Sequence, residues 1–245
     1  FDPKGGSFRR ELYPEYKANR PATPEDIALS IPYIKRILDA MCVPVLEVEG
    51  FEADDVIGTL SQKAAAEGYE VFMVTPDKDY GQLVRDNCRI YKQRGAEGSI
   101  EIVDREAIRE KYGIEPPQLI DVKSLMGDAS DNIPGVPGIG EKTAKDLLVR
   151  FGTVADIYRD LDTLDIKPGV RKKLTEGRES AQLSFDLATI RTDAPIDFAP
   201  ESAVWDRDYR PELYDWFRRL GFLKLSEKWG LQPADGAAAP ENALP

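Results

Sequence analysis

The chain contains no histidine at all, and this absence removes several kinds of catalytic chemistry. A Ser-His-Asp triad, a zinc ion held by histidine and an imidazole general base are all excluded. An enzyme built from this sequence must therefore work with carboxylates, lysines, tyrosines and metal ions.

Cysteine is almost as scarce, since only Cys42 and Cys88 occur among the 245 residues. They form neither a CxxC pair nor a disulfide framework, which is typical of a reducing compartment. The apolar runs have the length of strands and fall far short of the roughly 20 residues that a membrane helix needs. We therefore expect a cytoplasmic protein with neither a signal peptide nor a membrane helix.

Positive charge is in deficit, because 33 lysines and arginines stand against 44 aspartates and glutamates and give a net charge of −11. This total argues against a nucleic-acid partner only where the acids are spread evenly, because metal ions neutralise acids that share one site. Residues 1–20 have a local excess of two positive charges, five cations against three acids. Binding to DNA therefore remains open.

Carboxylates are plentiful, and seven of them stand in three short clusters, each behind a segment that is predicted to be buried. The first acidic cluster is Glu52, Asp54 and Asp55, the second is Asp77 and Asp79, and the third is Asp128 and Asp131. Acids at the ends of core elements repel one another unless a cation lies between them, and such oxygen-rich sites suit Mg²⁺ or Mn²⁺. One cluster alone is typical of solvated loop acids, but three together favour a metal site.

Strand and helix signals alternate through the first half of the chain. Strands are predicted at 45–48, 70–75, 89–91 and 99–103, and helices at 53–66, 80–84 and 105–112. This alternation predicts an α/β fold whose mostly parallel sheet is flanked by helices, with the acids near the carboxyl ends of strands. After Pro116 the signals become helical.

We expect three regions along the chain. Residues 1–125 are predicted to form an α/β core with a basic segment, 126–230 a helical subdomain followed by a C-terminal packing segment, and 231–245 a linker without fixed structure.

A glycine-rich turn follows the third acidic cluster and precedes a helix predicted at 141–151. Its glycines, Gly135, Gly138 and Gly140, clear side chains from the backbone, so amide groups at the helix N-terminus can bind a phosphate. The turn is not a P-loop, because Glu141 separates the last glycine from Lys142 and Thr143, and it follows a helix, which excludes a dinucleotide fingerprint. The alternative is an ordinary turn between helices.

The first twenty residues interleave basic and aromatic side chains. Arg9, Tyr16, Lys17 and Arg20 are of the types that neutralise phosphates and stack on bases. The alternative is a solvated surface helix.

Four motifs, in this order, closely resemble the 5′→3′ exonuclease (flap endonuclease) domain of bacterial DNA polymerase I. They are Tyr-Pro-Glu-Tyr-Lys-x-Asn-Arg, Glu-Ala-Asp-Asp, Thr-x-Asp-x-Asp and Met-Gly-Asp-x-x-Asp-Asn-Ile-Pro-Gly-Val-x-Gly-Ile-Gly. The resemblance covers residues 1–230. It implies a 5′-nuclease (PIN-like) core with a helix–three-turn–helix DNA-binding subdomain. It also implies cleavage of 5′ flaps, nicks and RNA primers during DNA replication and repair.

The resemblance also assigns roles to residues. Acids around a first metal ion would be Asp2, Glu52, Asp54 and Asp55. A second group would be Asp77, Asp79, Asp128 and Asp131. Lys17 and Arg20 resemble basic residues of an arch that grips the scissile phosphate, with Tyr16 and Arg9 beside them. The residues of the turn, Gly135, Gly138, Gly140, Lys142 and Thr143, resemble an element that binds duplex phosphates together with a K⁺ ion.

The same resemblance sets the expected context. It implies two or more Mg²⁺ or Mn²⁺ ions, fusion to polymerase domains, a monomer, and a bacterial cytoplasm with association to the nucleoid. Relatives open with a strand that carries a further metal-ligand Asp upstream of the position of Asp2, so we expect that strand to be missing here. Pro76 stands where many relatives have glycine.

Two other functions remain open. A chain without the upstream strand fits a catalytically impaired module that binds duplex or flap DNA. A metal-dependent phosphohydrolase acting on a small molecule accounts for the acids, but it leaves the glycine-rich turn and the basic segment without a role.

Overall fold

The computed structural model describes residues 1–94 and 98–233. These residues form two compact units: Phe1–Arg20 with Glu47–Ile196, and Pro21–Leu46 with the described residues from Asp197 onward. In the described part of the chain, no helix combines the length and the apolar character that crossing a bilayer requires.

The helices follow one another along the chain in this order: α1 (Phe8–Leu12), α2 (Glu25–Ala40), α3 (Ala53–Ala66), α4 (Arg105–Tyr112), α5 (Gln118–Met126), α6 (Glu141–Phe151), α7 (Val154–Arg159), α8 (Pro168–Glu176), α9 (Arg178–Ala188), α10 (Glu212–Arg219) and α11 (Leu223–Lys228). Two 3₁₀ helices cover Lys78–Leu83 and Pro200–Ala203.

The sheet of the first unit has three strands, β1 (Val71–Val74), β2 (Cys88–Arg94) and β3 (Ser99–Val103). β1 runs parallel to β2, and β2 runs antiparallel to β3. Only residues 95–98 join β2 to β3, which is too short for the crossover that a parallel pair needs. The α/β class is confirmed, but the sheet is mixed instead of mostly parallel. The strand predicted at 45–48 is absent, since these described residues belong to no strand.

Capping explains where the functional helices begin. Glu52 and Asp55 form a capping box at the start of α3, in which the Glu52 amide donates to Asp55 Oδ2 at 3.0 Å, and the Ala53 amide donates to Asp2 from outside the helix. The Asp104 side chain accepts a hydrogen bond from the Ala107 amide at 2.9 Å and starts α4. The predicted helices at 53–66, 105–112 and 141–151 coincide with α3, α4 and α6.

Three hydrophobic clusters stabilise the described residues of the first unit, and the smallest joins Tyr16 to Ile133, Leu187 and Ala188. Of the other two, one surrounds the sheet and contains Met73, Tyr80 and Ile90, and the second lies among α5–α9 and contains Leu125 and Leu147. The predicted boundary at residue 125 falls inside α5 and within this unit. A division into a sheet subdomain and a helical subdomain therefore stays a prediction.

The second unit packs its helices around Ala40, Leu213 and Phe217, with Trp229 against them. The Arg210 guanidinium donates to Asp39 at 2.6 Å and thereby joins the segment before α10 to the end of α2. Of the predicted linker at 231–245, residues 234–245 lie outside the described residues.

Candidate functional site

The first acidic cluster lies at the N-terminus of α3, where the helix dipole favours negative charge. Glu52 is the N-cap residue and Asp54 lies in the first turn. Asp2 approaches the same helix end, because its Oδ1 accepts a hydrogen bond from the Ala53 amide at 2.6 Å. The carboxylates of Asp2, Glu52 and Asp54 therefore meet at one helix terminus.

The second acidic cluster follows β1 and reaches the first through Tyr80. The Tyr80 hydroxyl donates to Asp54 Oδ1 at 2.6 Å. Burial raises the pKa of Tyr80, and the charges of Asp54, Asp77 and Asp2 raise it further. Burial likewise raises the pKa of Asp54, with Asp77 and Glu52 adding to the effect. The exposed Asp77 is therefore close enough to the acids of α3 for its charge to act on Asp54.

The third acidic cluster is tied to the second by Lys123. This lysine lies in α5 and is 8% exposed. Its Nζ donates to Asp128 Oδ2 at 2.6 Å and also to Asp79 Oδ2. Burial and the nearby acids Asp77 and Asp128 raise the pKa of Asp79 against the opposing effect of the lysine. The hydrogen bond from Lys123 and those from Ser130 lower the pKa of Asp128 to about 2 despite its burial.

The basic segment spans the first and third clusters. Lys17 Nζ donates to Glu52 Oε2 at 2.9 Å, while Arg20 pairs with Asp131. The backbone fixes this placement, because the Lys17 amide donates to the Asp131 carbonyl at 2.9 Å and Asn19 Nδ2 to the Ala129 carbonyl at 2.7 Å. Arg20 is half exposed and Lys17 largely covered. The two cations predicted to bind phosphate, Lys17 and Arg20, are thus ion-paired with acids of the first and third clusters.

Asp55 and Arg9 differ from the sequence prediction. Asp55 is fully buried and accepts four hydrogen bonds, two from the Arg9 guanidinium at 2.7 and 2.8 Å and one each from the amides of Glu52 and Arg191. A carboxylate has about four acceptor positions, so this one has none left for a metal ion. Arg9 is 2% exposed and also donates to the carbonyls of Leu187 and Thr189. The pair is therefore a buried structural ion pair that leaves no acceptor position of Asp55 open.

Tyr16 is a buried residue of the basic segment. It is 3% exposed, and its hydroxyl donates to Glu52 Oε2 at 3.2 Å. Burial raises its pKa, and the Glu52 charge adds to this rise. The hydroxyl therefore keeps its proton at neutral pH, which suits it to supporting Glu52 more than to proton transfer.

The glycine-rich turn divides into a buried and an open part. Gly135 has φ +62°, and a Cβ there would lie 2.2 Å from the Gly127 amide nitrogen, so it serves the close packing of two backbones. Gly138 has φ +78° and faces the flexible end of Lys173, whereas a Cβ at Gly140 would meet open space. In the described residues no side chain caps α6 at Gly140. Lys142 is exposed and Thr143 half-buried in the first turn of that helix.

The chemistry of the site suits divalent cations of the hard, oxygen-preferring type. Burial and neighbouring acids raise the pKa values of Asp54 and Asp79, and a bound cation would reverse that effect. Among residues 1–94 and 98–233, no three acidic, cysteine or histidine side chains converge closely enough to hold a metal ion. The cations Lys17, Arg20 and Lys123 occupy positions among the carboxylates instead.

The sequence prediction missed Lys123 and Tyr80. Lys123 lies between Val122 and Leu125 in a largely buried helix. A lysine in such a stretch indicates a buried acidic partner, because lysine is rarely buried unless it is paired. Tyr80 directly follows the second acidic cluster, but nothing in its local sequence indicates a hydrogen bond to Asp54.

Comparison with known proteins identifies relatives of the whole chain. Residues 1–113 match a family described as "5'-3' exonuclease, N-terminal resolvase-like domain", and residues 114–210 match "5'-3' exonuclease, C-terminal SAM fold". DNA polymerase I of Bacillus caldotenax is 41% identical over 93% of the chain, and the thermostable DNA polymerase I of Thermus aquaticus is 42% identical over 94%. The chain spans 26% and 27% of these two proteins, about a quarter of their length.

Solved structures agree with this grouping. A T5 5′-exonuclease with bound divalent zinc ions is 28% identical, with a TM-score of 0.63 over 78% of this chain and 73% of that one. The catalytic core of Rad2 in complex with a DNA substrate shares the fold at 21% identity, with a TM-score of 0.61 over 93% of this chain and 75% of that one.

Proposed function

Because the chain belongs to the 5′-3′ exonuclease family and is a metal-dependent 5′ nuclease, we propose a specific set of substrates for it. It hydrolyses phosphodiester bonds at 5′ flaps, nicks and RNA primers. The observation that carries the proposal is that three acidic clusters are linked in one unit: Lys17 and Arg20 contact the first and third, while Tyr80 and Lys123 join the second to them. Acids that can hold metal ions, with cations beside them, suit phosphodiester hydrolysis without histidine.

The residues that would hold the ions are the acids of the three clusters other than Asp55, together with Asp2. They are Asp2, Glu52, Asp54, Asp77, Asp79, Asp128 and Asp131, with Mg²⁺ or Mn²⁺ as the proposed ions. Ions held by these residues would supply an activated water molecule and charge stabilisation for the leaving oxygen. Asp55 is left out of this set because its acceptor positions are filled by protein donors.

Lys17 and Arg20 would bind the scissile phosphate. Arg20 is half exposed, so its guanidinium can turn from Asp131 to a phosphate while the backbone bonds of the segment hold its position. Both residues would offset negative charge that develops on the phosphoryl oxygens. Tyr16 would keep Glu52 oriented beneath them through its hydroxyl hydrogen bond.

The open part of the glycine-rich turn would bind the backbone of duplex DNA. No side chain of the described residues caps the start of α6, and Lys142 is exposed in its first turn, which suits a phosphate. A K⁺ ion at this turn belongs to the same proposal, as does the division at residue 125 between a catalytic core and this DNA-binding part.

The wider context is proposed from the relatives, which are full-length DNA polymerase I proteins. The chain would act as a monomeric domain fused to polymerase domains, in the bacterial cytoplasm at the nucleoid, during replication and repair.

A DNA-binding module with impaired catalysis is the second candidate. The observation in its favour is that protein cations already neutralise Glu52, Asp79, Asp128 and Asp131. Such a module would bind flap DNA without cleaving it at any metal concentration.

One assay separates the two candidates. With a fluorescently labelled 5′-flap duplex, we expect cleavage that requires Mg²⁺ or Mn²⁺, leaves a 5′-phosphate on the product and stops in excess EDTA, because the carboxylates cannot act without their ions. A duplex without a flap, nick or free 5′ end serves as the control substrate. Binding without cleavage at every metal concentration would favour the module, and full cleavage in EDTA would contradict both.

The glycine-rich turn has a test of its own. Replacing Gly138 by valine is expected to weaken binding to unrelated duplexes by a similar factor, about tenfold, and to flatten the salt dependence. The reason is that φ +78° strains a β-branched residue and its Cβ would displace Lys173. Gly169→Ala in α8 is the control, because its Cβ also meets open space and it lies outside the turn. A loss confined to one DNA sequence, measured by fluorescence anisotropy, would contradict the assignment.

A further inference from the structure

Lys123 occupies the space between two carboxylates that come from different acidic clusters. Asp79 lies in the 3₁₀ helix after β1, and Asp128 lies in the turn after α5. Both direct their Oδ2 atoms at the Lys123 ammonium, with Asp128 at 2.6 Å. This ammonium is the one direct side-chain link between the second and third clusters in the hydrogen bonds of the described residues.

The lysine is buried between two anions. It is 8% exposed, and its ammonium donates hydrogen bonds to both Asp79 and Asp128. A buried ammonium is tolerated only where it is paired and hydrogen-bonded, and here both partners are carboxylates. One positive charge thus faces two negative charges, where a divalent ion would balance both.

The ammonium and a divalent ion cannot share this position. Mg²⁺ binds carboxylate oxygens at about 2.1 Å, closer than a hydrogen-bonded nitrogen approaches them. The other oxygen of Asp128 accepts hydrogen bonds from the Ser130 amide at 2.9 Å and from its hydroxyl. An ion that bridges the pair therefore needs Asp128 Oδ2, the oxygen that Lys123 now holds.

The structure has free space beside the Lys123 side chain into which it can rotate. A cavity of about 90 Å³ adjoins its side chain and is lined also by Tyr112, Met126 and Glu141. Asp79 also lines this cavity but Asp128 does not, so rotation of the flexible side chain into it would move the ammonium away from Asp128 without a change in the course of α5.

We propose that Lys123 is a positioning residue that holds Asp79 and Asp128 together and competes with a divalent ion for them, so that metal binding at this pair displaces its ammonium. The inference rests on the proposed metal-binding role of these two acids. It makes Lys123 a determinant of metal affinity, although it touches neither substrate nor reacting atoms.

The test is Mn²⁺ titration of chelator-treated protein by calorimetry, without DNA, so the readout is independent of cleavage. Lys123→Met keeps the length of the side chain but removes its charge, and we expect Mn²⁺ to bind at least about tenfold more tightly. Without metal the same variant should melt at a lower temperature, because two carboxylates lose their counter-charge, and saturating Mn²⁺ should stabilise it more than the parent. Lys123→Arg, which retains the cation, should stay close to the parent affinity.

The direction of the change is decisive. If Lys123 merely supported the fold, the Lys123→Met substitution would lower the Mn²⁺ affinity or leave it unchanged. Either result would contradict the proposed competition. Lys172→Met, which changes an exposed lysine of α8, controls for the loss of one positive charge. If Lys123→Met does not fold without metal, Lys123→Gln carries the same test.

Asp128→Asn separates this inference from the function it rests on. If it weakens Mn²⁺ binding while Lys123→Met does not strengthen it, only the competition is wrong. If it leaves Mn²⁺ binding unchanged, Asp128 is not a ligand, and both the competition and that part of the proposed metal site are wrong.

Discussion

Replacing Asp77 by asparagine is expected to lower single-turnover cleavage of a 5′-flap substrate by at least about 100-fold, with DNA affinity changed by less than about threefold. Asp77 is exposed and belongs to the electrostatic group formed with Asp54. Its Oδ1 also accepts the Asp79 amide at 2.9 Å and starts the 3₁₀ helix. Asparagine keeps that acceptor and removes only the negative charge, so the local fold stays while the proposed ligand is lost.

The control for this variant must carry the same change of charge elsewhere. Asp162 lies exposed in the loop between α7 and α8, and Asp162→Asn should cleave at the parent rate. DNA affinity is measured by fluorescence anisotropy in EDTA, where catalysis stops. Parent-like cleavage by Asp77→Asn would remove Asp77 from the metal site, and an equal loss of affinity and rate would assign it to substrate binding.

Several elements could be predicted to the residue because their signals are local. The helix at 53–66 begins at a capping box, and the helix at 141–151 follows glycines and prolines that end the preceding structure. The strand at 99–103 is bounded by a glycine and by the Asp104 cap. In each case the residues that decide the boundary lie within a few positions of it.

Pairing between distant segments could not be predicted in this way. Residues 45–48 have the apolar alternation of a strand, yet a strand also needs a neighbour, which the local pattern does not specify. The orientation of β3 depends on the short connection from β2, so a general α/β expectation of parallel strands was wrong there. Periodicity thus predicts the type of an element better than its partner.

The site shows the same division. Its acids could be identified from the sequence because they stand together in short motifs, and the structure brings members of all three clusters into one unit. Which acid faces the site depends on contacts far along the chain. Asp54 and Asp55 are neighbours, but only Asp55 meets Arg9 and the backbone after α9.

The largest expected effect on stability comes from that buried pair. Arg9→Met should lower the free energy of unfolding by about 3–5 kcal/mol, because it leaves the Asp55 carboxylate buried without its counter-charge. The side chains are 3% and 0% exposed, so solvent cannot take the place of the guanidinium. The carbonyls of Leu187 and Thr189 lose their donors as well. Urea unfolding in EDTA measures the loss without a contribution from metal binding.

Arg10 gives a matched comparison, because it is the next residue of α1, has the same chemistry and is exposed. Arg10→Met should change the free energy of unfolding by less than about 0.5 kcal/mol, as expected for a surface position. DNA affinity then distinguishes the two roles that have been considered for Arg9. A structural Arg9 lowers the stability of the variant and leaves the affinity of the folded fraction near that of the parent, measured well below the unfolding temperature. A stable Arg9→Met variant with weakened DNA binding would instead return Arg9 to the DNA surface and free Asp55 for a metal ion.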